Sequence, residues 1–379
     1  MSSSNELYNR LHEKLSALVR VQNGKQISNW IWIVVGVLQS QSCHLSQIAA
    51  NLPMETNAES RVTKIRRWLM NPHINVWLFY KKVLEHVLSG WSEVEATIIL
   101  DGVMIFGGRW QIFRVSLLHG CRAIPLTWKI VEGKGLVKVT KLKDTLEKAQ
   151  RFLAKHVKQV TFLADAGFRD CDWAQLCEEF GWNYAIRVAC NTYITLPDGT
   201  CDRLDHLVPL NQNRYFQNVL LTREAKLRTN VSVTWTTNKK DELEMVAIIT
   251  DRIACRARLR EYADRMSIEQ SFRDDKSGGF DMEHTRLQHA QRIDHLLLAL
   301  AIATLWCHEL GEFVLKQGEA VRCQVDPSCK RSLSLFQLGL RWLKRCLVTG
   351  FRFLPDFQAI LSNLKLKPVV IPVTLNSNV

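Results

Sequence analysis

The stretch Ala96-Thr97-Ile98-Ile99-Leu100-Asp101-Gly102 decides the fold. Its first five residues form an unbroken apolar and β-branched run, the pattern of a strand buried on both faces rather than one with a wet side. A second run of this kind, Val160-Thr161-Phe162-Leu163-Ala164, ends in Asp165-Ala166-Gly167. Between them, strand-like stretches at 110–118 and 124–131 flank His119-Gly120 and stop at Gly133-Lys134-Gly135, which predicts an antiparallel meander with the first run. An amphipathic helix over 142–156 leads into the second run, and a helix near 172–180 and a strand near 184–188 follow. This alternation is that of an α/β sheet. Functional groups collect beyond strand ends in such sheets, so Asp101 and Asp165 are candidate site residues; an aspartate close to a glycine also reads as plain turn chemistry.

The flanking regions differ in character. Residues 1–94 carry apolar positions at three- and four-residue spacing, which predicts helices throughout. A short helix, Leu45 to Leu52, is closed by Pro53, and a second is expected from Thr56, where Thr56 and Glu59 fit a capping box. The second helix bears Arg61, Lys64, Arg66 and Arg67. A short helix, a turn and a basic helix outline a helix-turn-helix DNA reader, and equally the solvated face of an ordinary bundle. Residues 191–250 shift to alternating strands with polar turns and read as a β-rich insertion. An apolar helix near 293–313 precedes a tail, 315–379, with ten Lys or Arg against three acids.

The net charge of +13 suits a polyanionic partner without proving one. Eleven cysteines are scattered without a C-x-x-C pair or a zinc-like spacing, which predicts reduced thiols and argues against a structural zinc site. The polar start, MSSSNELYNRLHEK, lacks a signal peptide's apolar core, and the apolar run Leu296 to Cys307 is shorter than the roughly 20 residues needed to cross a bilayer. A cytoplasmic chain with no membrane partner is the expectation.

The helix expected over 262–276 carries Tyr262, Arg265, Glu269 and Lys276 at offsets of three, seven and fourteen residues, which places all four on one stripe. One carboxylate among two cations and a tyrosine suits a surface that grips a metal and a phosphodiester backbone together.

The spacing Tyr262-x2-Arg265-x3-Glu269-x6-Lys276 resembles the Tyr-Arg-Glu-Lys signature of DDE transposases of the insertion sequence 4 group. Ile99-Leu100-Asp101-Gly102 and Phe162-Leu163-Ala164-Asp165-Ala166-Gly167-Phe168 resemble that family's first and second aspartate motifs, so the resemblance spans roughly residues 95–315. It implies a ribonuclease-H-like core in two parts, 95–190 and 251–314, interrupted by the insertion at 191–250 and flanked by an all-α DNA-binding domain (1–94) and a basic helical region (315–379). It also implies that Asp101, Asp165 and Glu269 coordinate two Mg²⁺ or Mn²⁺ ions, while Tyr262, Arg265 and Lys276 hold the transposon end. Trp235, in a strand-like stretch, reads first as a core tryptophan and second as a candidate for stacking on a flipped base, which the resemblance suggests.

Further implications are double-stranded DNA partners (terminal inverted repeats and target), a homodimer joining two ends, cut-and-paste transposition with a hairpin as one route, and a bacterial, nucleoid-associated location. Glycine after Asp101, where many relatives have a second polar residue, departs from the pattern. So does the short insertion, roughly 60 residues. The rival readings are a nuclease that cuts without joining and a copy that only binds DNA.

Overall fold

The computed structural model describes residues 3–20, 23–90, 94–119, 122–224, 227–238, 240–276, 278–350 and 353–360. The part of the expected C-terminal region over 361–379 lies outside the described residues.

Five helices come first: α1 (Ser3–Leu18), α2 (Gly24–Ser40), α3 (Leu45–Ala50), α4 (Ala58–Leu69) and α5 (Val76–Val87). Leu7, Leu11 and Leu15 line the buried face of α1 at four-residue spacing. The cap of α4 is Asn57 and not Thr56: the Asn57 side chain accepts from the Ser60 backbone N–H at 2.8 Å, so the helix starts one residue later than the capping-box reading placed it. Asparagine is the stronger N-cap, which explains the choice.

The sheet begins with β1 (Glu95–Ile105), β2 (Trp110–His119) and β3 (Arg122–Glu132), joined as the expected antiparallel meander. Then come α6 (Val139–Leu153), β4 (Gln159–Ala164), α7 (Cys171–Glu179) and β5 (Asn183–Val188), with β4 parallel to both β1 and β5. The 191–250 segment supplies β6 (Tyr193–Thr195), β7 (Cys201–Arg203), the single turn α8 (Leu204–Leu207), β8 (Arg214–Leu221), β9 (Leu227–Thr237) and β10 (Leu243–Thr250). These strands do not form a sheet of their own. β10 pairs antiparallel with β5, and the result is one ten-stranded sheet in the order β3-β2-β1-β4-β5-β10-β9-β8-β6-β7. The architecture is mixed α/β with a single large sheet.

The chain then forms α9 (Arg256–Ala263), α10 (Met266–Asp275), α11 (Ala290–Lys316), α12 (Glu319–Arg322) and α13 (Leu335–Thr349). By length and composition α11 could cross a membrane, but 89% of its apolar window is buried inside the molecule. It is the central core helix, packed against β3, α2 and α13, and one continuous apolar cluster runs from the N-terminal helices through the sheet to α13. Two glycines set the close crossing of α11 and α13: a Cβ on Gly339 would sit 1.8 Å from the Cys307 carbonyl oxygen, and one on Gly311 would sit 2.1 Å from that of Leu335. No flexible side chain can yield there. Gly339→Ala is therefore expected to destabilise the protein by about 3 kcal/mol, the upper end of overpacking costs, as measured by urea denaturation.

Candidate active site

The parallel ladder between β1 and β4 runs from Glu95 opposite Gln159 to Leu100 opposite Ala164. The next residues on these adjacent strands are Asp101 and Asp165, so the two carboxylates leave the ladder side by side. Asp101 is not beyond the end of its strand, as the sequence suggested. β1 continues to Ile105 along β2, with Asp101 opposite Arg114, because the meander partner extends the strand after the parallel neighbour has turned away. Asp165 does end its strand, and its Oδ1 accepts from the Gly167 N–H at 2.8 Å to cap a short 3₁₀ turn. The glycine-turn role and a place in the site thus coexist at Asp165.

Glu269 arrives on α10, and here the expected single helix is broken. Asp264 and Arg265 form a turn between α9 and α10, held by bonds to the third residue back: Arg265 N–H to Tyr262 O at 3.0 Å and Ile268 N–H to Arg265 O at 3.2 Å. The stripe that placed Tyr262, Arg265, Glu269 and Lys276 on one face therefore does not exist as such. The turn instead directs Arg265 inward. Its guanidinium donates to Asp101 Oδ2 at 3.0 Å and to Glu269 Oε1 at 2.7 Å, bridging the strand carboxylate to the helix carboxylate.

The electrostatics follow from this crowding. Asp101 is 9% exposed, and its pKa is pushed up to about 6, first by burial. Arg265 opposes the rise, while the charges of Asp165 and Glu269 add to it. Arg265 is the internal countercharge of the cluster.

Beneath α10 lies a polar network that sequence reasoning missed. Arg114 reaches from β2 to form an ion pair with Asp275 on α10, both fully inside, and its guanidinium lies 4.9 Å from the ring centre of Phe272. Arg122 on β3 holds the Gln270 side chain. Burial, joined by the charge of Asp275 and opposed by Arg122, pushes neighbouring Asp274 up to about 7. The only sequence signal was a lone arginine inside an otherwise apolar strand. Through these contacts the strand pair that carries Asp101 also fixes the helix that carries Glu269.

The remaining candidates are placed as follows. Tyr262 is 8% exposed, packs with Ile99 and Leu163, and has a buried hydroxyl without a hydrogen-bond partner among the described residues. It lies against the face of the sheet over its interior strands β1, β4, β5 and β10 rather than on a surface open to DNA. Lys276 ends α10 and is engaged by the Met104 carbonyl at 2.9 Å and Glu283 at 2.6 Å. Trp235 on β9 is partly buried against the core, and its Nε1 donates to the Pro209 carbonyl at 3.0 Å. In α4, Arg61 is turned back onto the preceding loop, donating to the Met54 and Thr56 carbonyls at 2.9 and 2.8 Å, so it closes the turn and does not project outward. Lys64, Arg66 and Arg67 are exposed.

Three carboxylates are hard oxygen donors of the kind Mg²⁺ and Mn²⁺ take, and in donor chemistry the cluster fits such an ion. Among the described residues no group of three His, Cys, Asp or Glu side chains is close enough to hold a metal, and Asp101 and Glu269 are joined by the Arg265 guanidinium. A cation in this cluster would replace Arg265 as their partner.

Residues 138–306 match the family described as Transposase DDE domain. Over that span the chain is similar to a transposase DDE domain. The matched span contains Asp165 and Glu269 and begins after Asp101. Such domains belong to metal-dependent, DNA-cleaving transposases, which use divalent ions, and the chain is an enzyme of this class. No curated protein matches the sequence. Among solved structures, a piggyBac transposase synaptic complex with hairpin DNA aligns with a TM-score of 0.42 at 10% identity, over 91% of this chain and 78% of that one. The Marinitoga piezophila Argonaute, in complex with guide RNA and target DNA, aligns with a TM-score of 0.24 at 9% identity, over 54% of this chain and 31% of that one. These two likenesses are too distant to add to the transposase DDE domain assignment.

Proposed function

We propose that the chain is a cut-and-paste transposase of the insertion sequence 4 group, and that Asp101, Asp165 and Glu269 are its catalytic carboxylates on a ribonuclease-H-like core. The observation that carries this reading is the placement of Asp101 and Asp165 at the end of one parallel ladder, with Glu269 bridged to Asp101 through Arg265. The strand order β3-β2-β1-β4-β5, with only β2 running against the rest, supports the ribonuclease-H-like assignment.

The carboxylates would hold two Mg²⁺ or Mn²⁺ ions, which when bound supply Lewis-acid stabilisation of charge at phosphorus and an activated water or 3′-hydroxyl. The chain's own part is geometric. The sheet fixes two carboxylates, the buried Arg114–Asp275 pair fixes the helix bearing the third, and low exposure at Asp101 limits competing water. Arg265 and Lys276 are each already paired with carboxylate oxygens and would exchange these for the phosphates of the transposon end. Tyr262 would serve the same end from below by packing under the Arg265 turn, their groups lying 5.9 Å apart.

Residues 1–94 would read the terminal inverted repeats, with Lys64, Arg66 and Arg67 as DNA contacts. A homodimer would pair the two ends, and 315–379 would assist assembly. Second-strand cleavage through a hairpin, action on target duplex and a nucleoid-associated place in the bacterial cytoplasm complete the reading. The test is cleavage and joining of a duplex carrying the element's own ends with Mg²⁺. Metal-dependent excision with end joining is expected. Cutting without joining would replace the transposase with a nuclease, and binding alone would replace it with a DNA-binding protein.

A further inference from the structure

A groove of about 370 Å³ opens between the first turns of α2 and the length of α4, far along the chain from the carboxylates. Among the described residues its walls hold three cations, Lys25 from α2 and Lys64 and Arg67 from α4, and no acidic side chain lines it. On α4 the groove-lining positions Ser60, Lys64 and Arg67 follow the spacing of one helical face. Arg61, the nearest other cation, is withdrawn into the turn. Trp68 forms the floor: its Nε1 donates to the Gln26 carbonyl at 2.9 Å, tying the two walls at a fixed separation, and its ring meets His295 of α11 edge-on at 5.8 Å between centroids. The groove is therefore built on the protein's rigid core.

Of its polar groups, the Asn23 and Asn71 side chains accept from the Lys25 and His73 backbone N–H groups. Lys25, Gln26, Asn29 and Arg67 make no side-chain hydrogen bond or ion pair among the described residues, and Lys64 has only the Met54 sulfur at 3.7 Å. Gln26 and Asn29 are partly exposed within the groove, so their amides are free to hydrogen-bond a ligand there. Three uncompensated cations in a concave, amide-lined channel match a sugar–phosphate strand, whose regularly spaced charges and ester oxygens take both kinds of donor.

We infer that this groove is a duplex DNA backbone site, in which Lys25, Lys64 and Arg67 neutralise phosphates and the Gln26 and Asn29 amides hydrogen-bond the same strand. It deepens the transposase reading by naming α2, outside the helix-turn-helix outline, as half of the contact surface, and it rests on DNA being the partner. Arg66, exposed on α4 but outside the lining, contributes less.

The test is fluorescence anisotropy with the full chain and a labelled duplex of arbitrary sequence, in EDTA, across a salt series. Lys25→Gln, Lys64→Gln and Arg67→Gln are each expected to flatten the slope of log affinity against log salt by about 0.9, and the triple variant to bind at least about 30-fold more weakly near 0.1 M salt. Gln26→Leu with Asn29→Leu should weaken binding and leave the slope unchanged. Unaltered melting temperatures confirm that the exposed substitutions leave the fold intact. Wild-type slope in the triple variant, or an effect of Arg66→Gln equal to that of Arg67→Gln, overturns the groove. So does tighter, residue-dependent binding to vesicles containing phosphatidylserine than to the duplex. Metal-dependent cleavage is scored separately on the same proteins, so loss of the groove assignment and loss of the transposase reading are distinguishable.

Discussion

Glu269→Gln is expected to reduce metal-dependent DNA cleavage by on the order of 10³-fold, while duplex binding stays within about twofold of wild type. Glutamine keeps the size of the side chain and a hydrogen-bond acceptor toward Arg265, so α10 should keep its position. What is lost is one negative charge from a set of three, and with it a ligand for a hard cation. An interaction worth several kcal/mol at a developing phosphate charge corresponds to a rate loss of this size. Duplex binding draws on cations elsewhere, on α2 and α4, and has no reason to follow. Single-turnover cleavage with Mg²⁺, beside binding in EDTA, measures both. Cleavage within tenfold of wild type would remove Glu269 from the chemistry.

The second large effect lies under the same helix. Asp275→Ala leaves the Arg114 guanidinium buried without its countercharge, and breaking a buried pair in this way is expected to cost about 3–5 kcal/mol in urea denaturation. Replacing both partners, Arg114→Met with Asp275→Leu, should recover most of that loss, since an apolar pair of similar volume avoids desolvating two charges. The Arg114 Nε atom already lacks a partner among the described residues, so the native pair is not an energetic optimum. A loss under about 1 kcal/mol for Asp275→Ala would mean that the pair does not hold α10 against the sheet.

The two parallel strands were legible because burial on both faces leaves a sequence no choice but a continuous apolar run, and Ala96 to Leu100 and Val160 to Ala164 both show it. The meander was legible for a related reason, since its turns are local. The pairing of β10 with β5 was not: Thr250 lies opposite Ala185, sixty-five residues earlier, and nothing in either segment encodes which edge it will meet. The β-rich stretch accordingly read as an insertion and folds as an extension of the core sheet.

At the site, sequence located the carboxylates and misjudged their surroundings. Helical spacing through Tyr262 and Glu269 is satisfied on paper, yet the chain turns at Asp264 and Arg265, where the inward Arg265 gains two carboxylate partners. That gain belongs to tertiary structure. The same holds for Arg61, whose basic character suggested DNA but whose guanidinium satisfies two loop carbonyls. Arg114 was invisible because its partner lies 161 residues away.

The most direct measurement is anomalous diffraction from crystals soaked in Mn²⁺. A manganese peak coordinated by Asp101, Asp165 and Glu269, with the Arg265 guanidinium moved off Asp101 and Glu269, is the expected result. Bound manganese elsewhere, with Arg265 still bridging the two carboxylates at saturating metal, would contradict their assignment as the catalytic metal ligands.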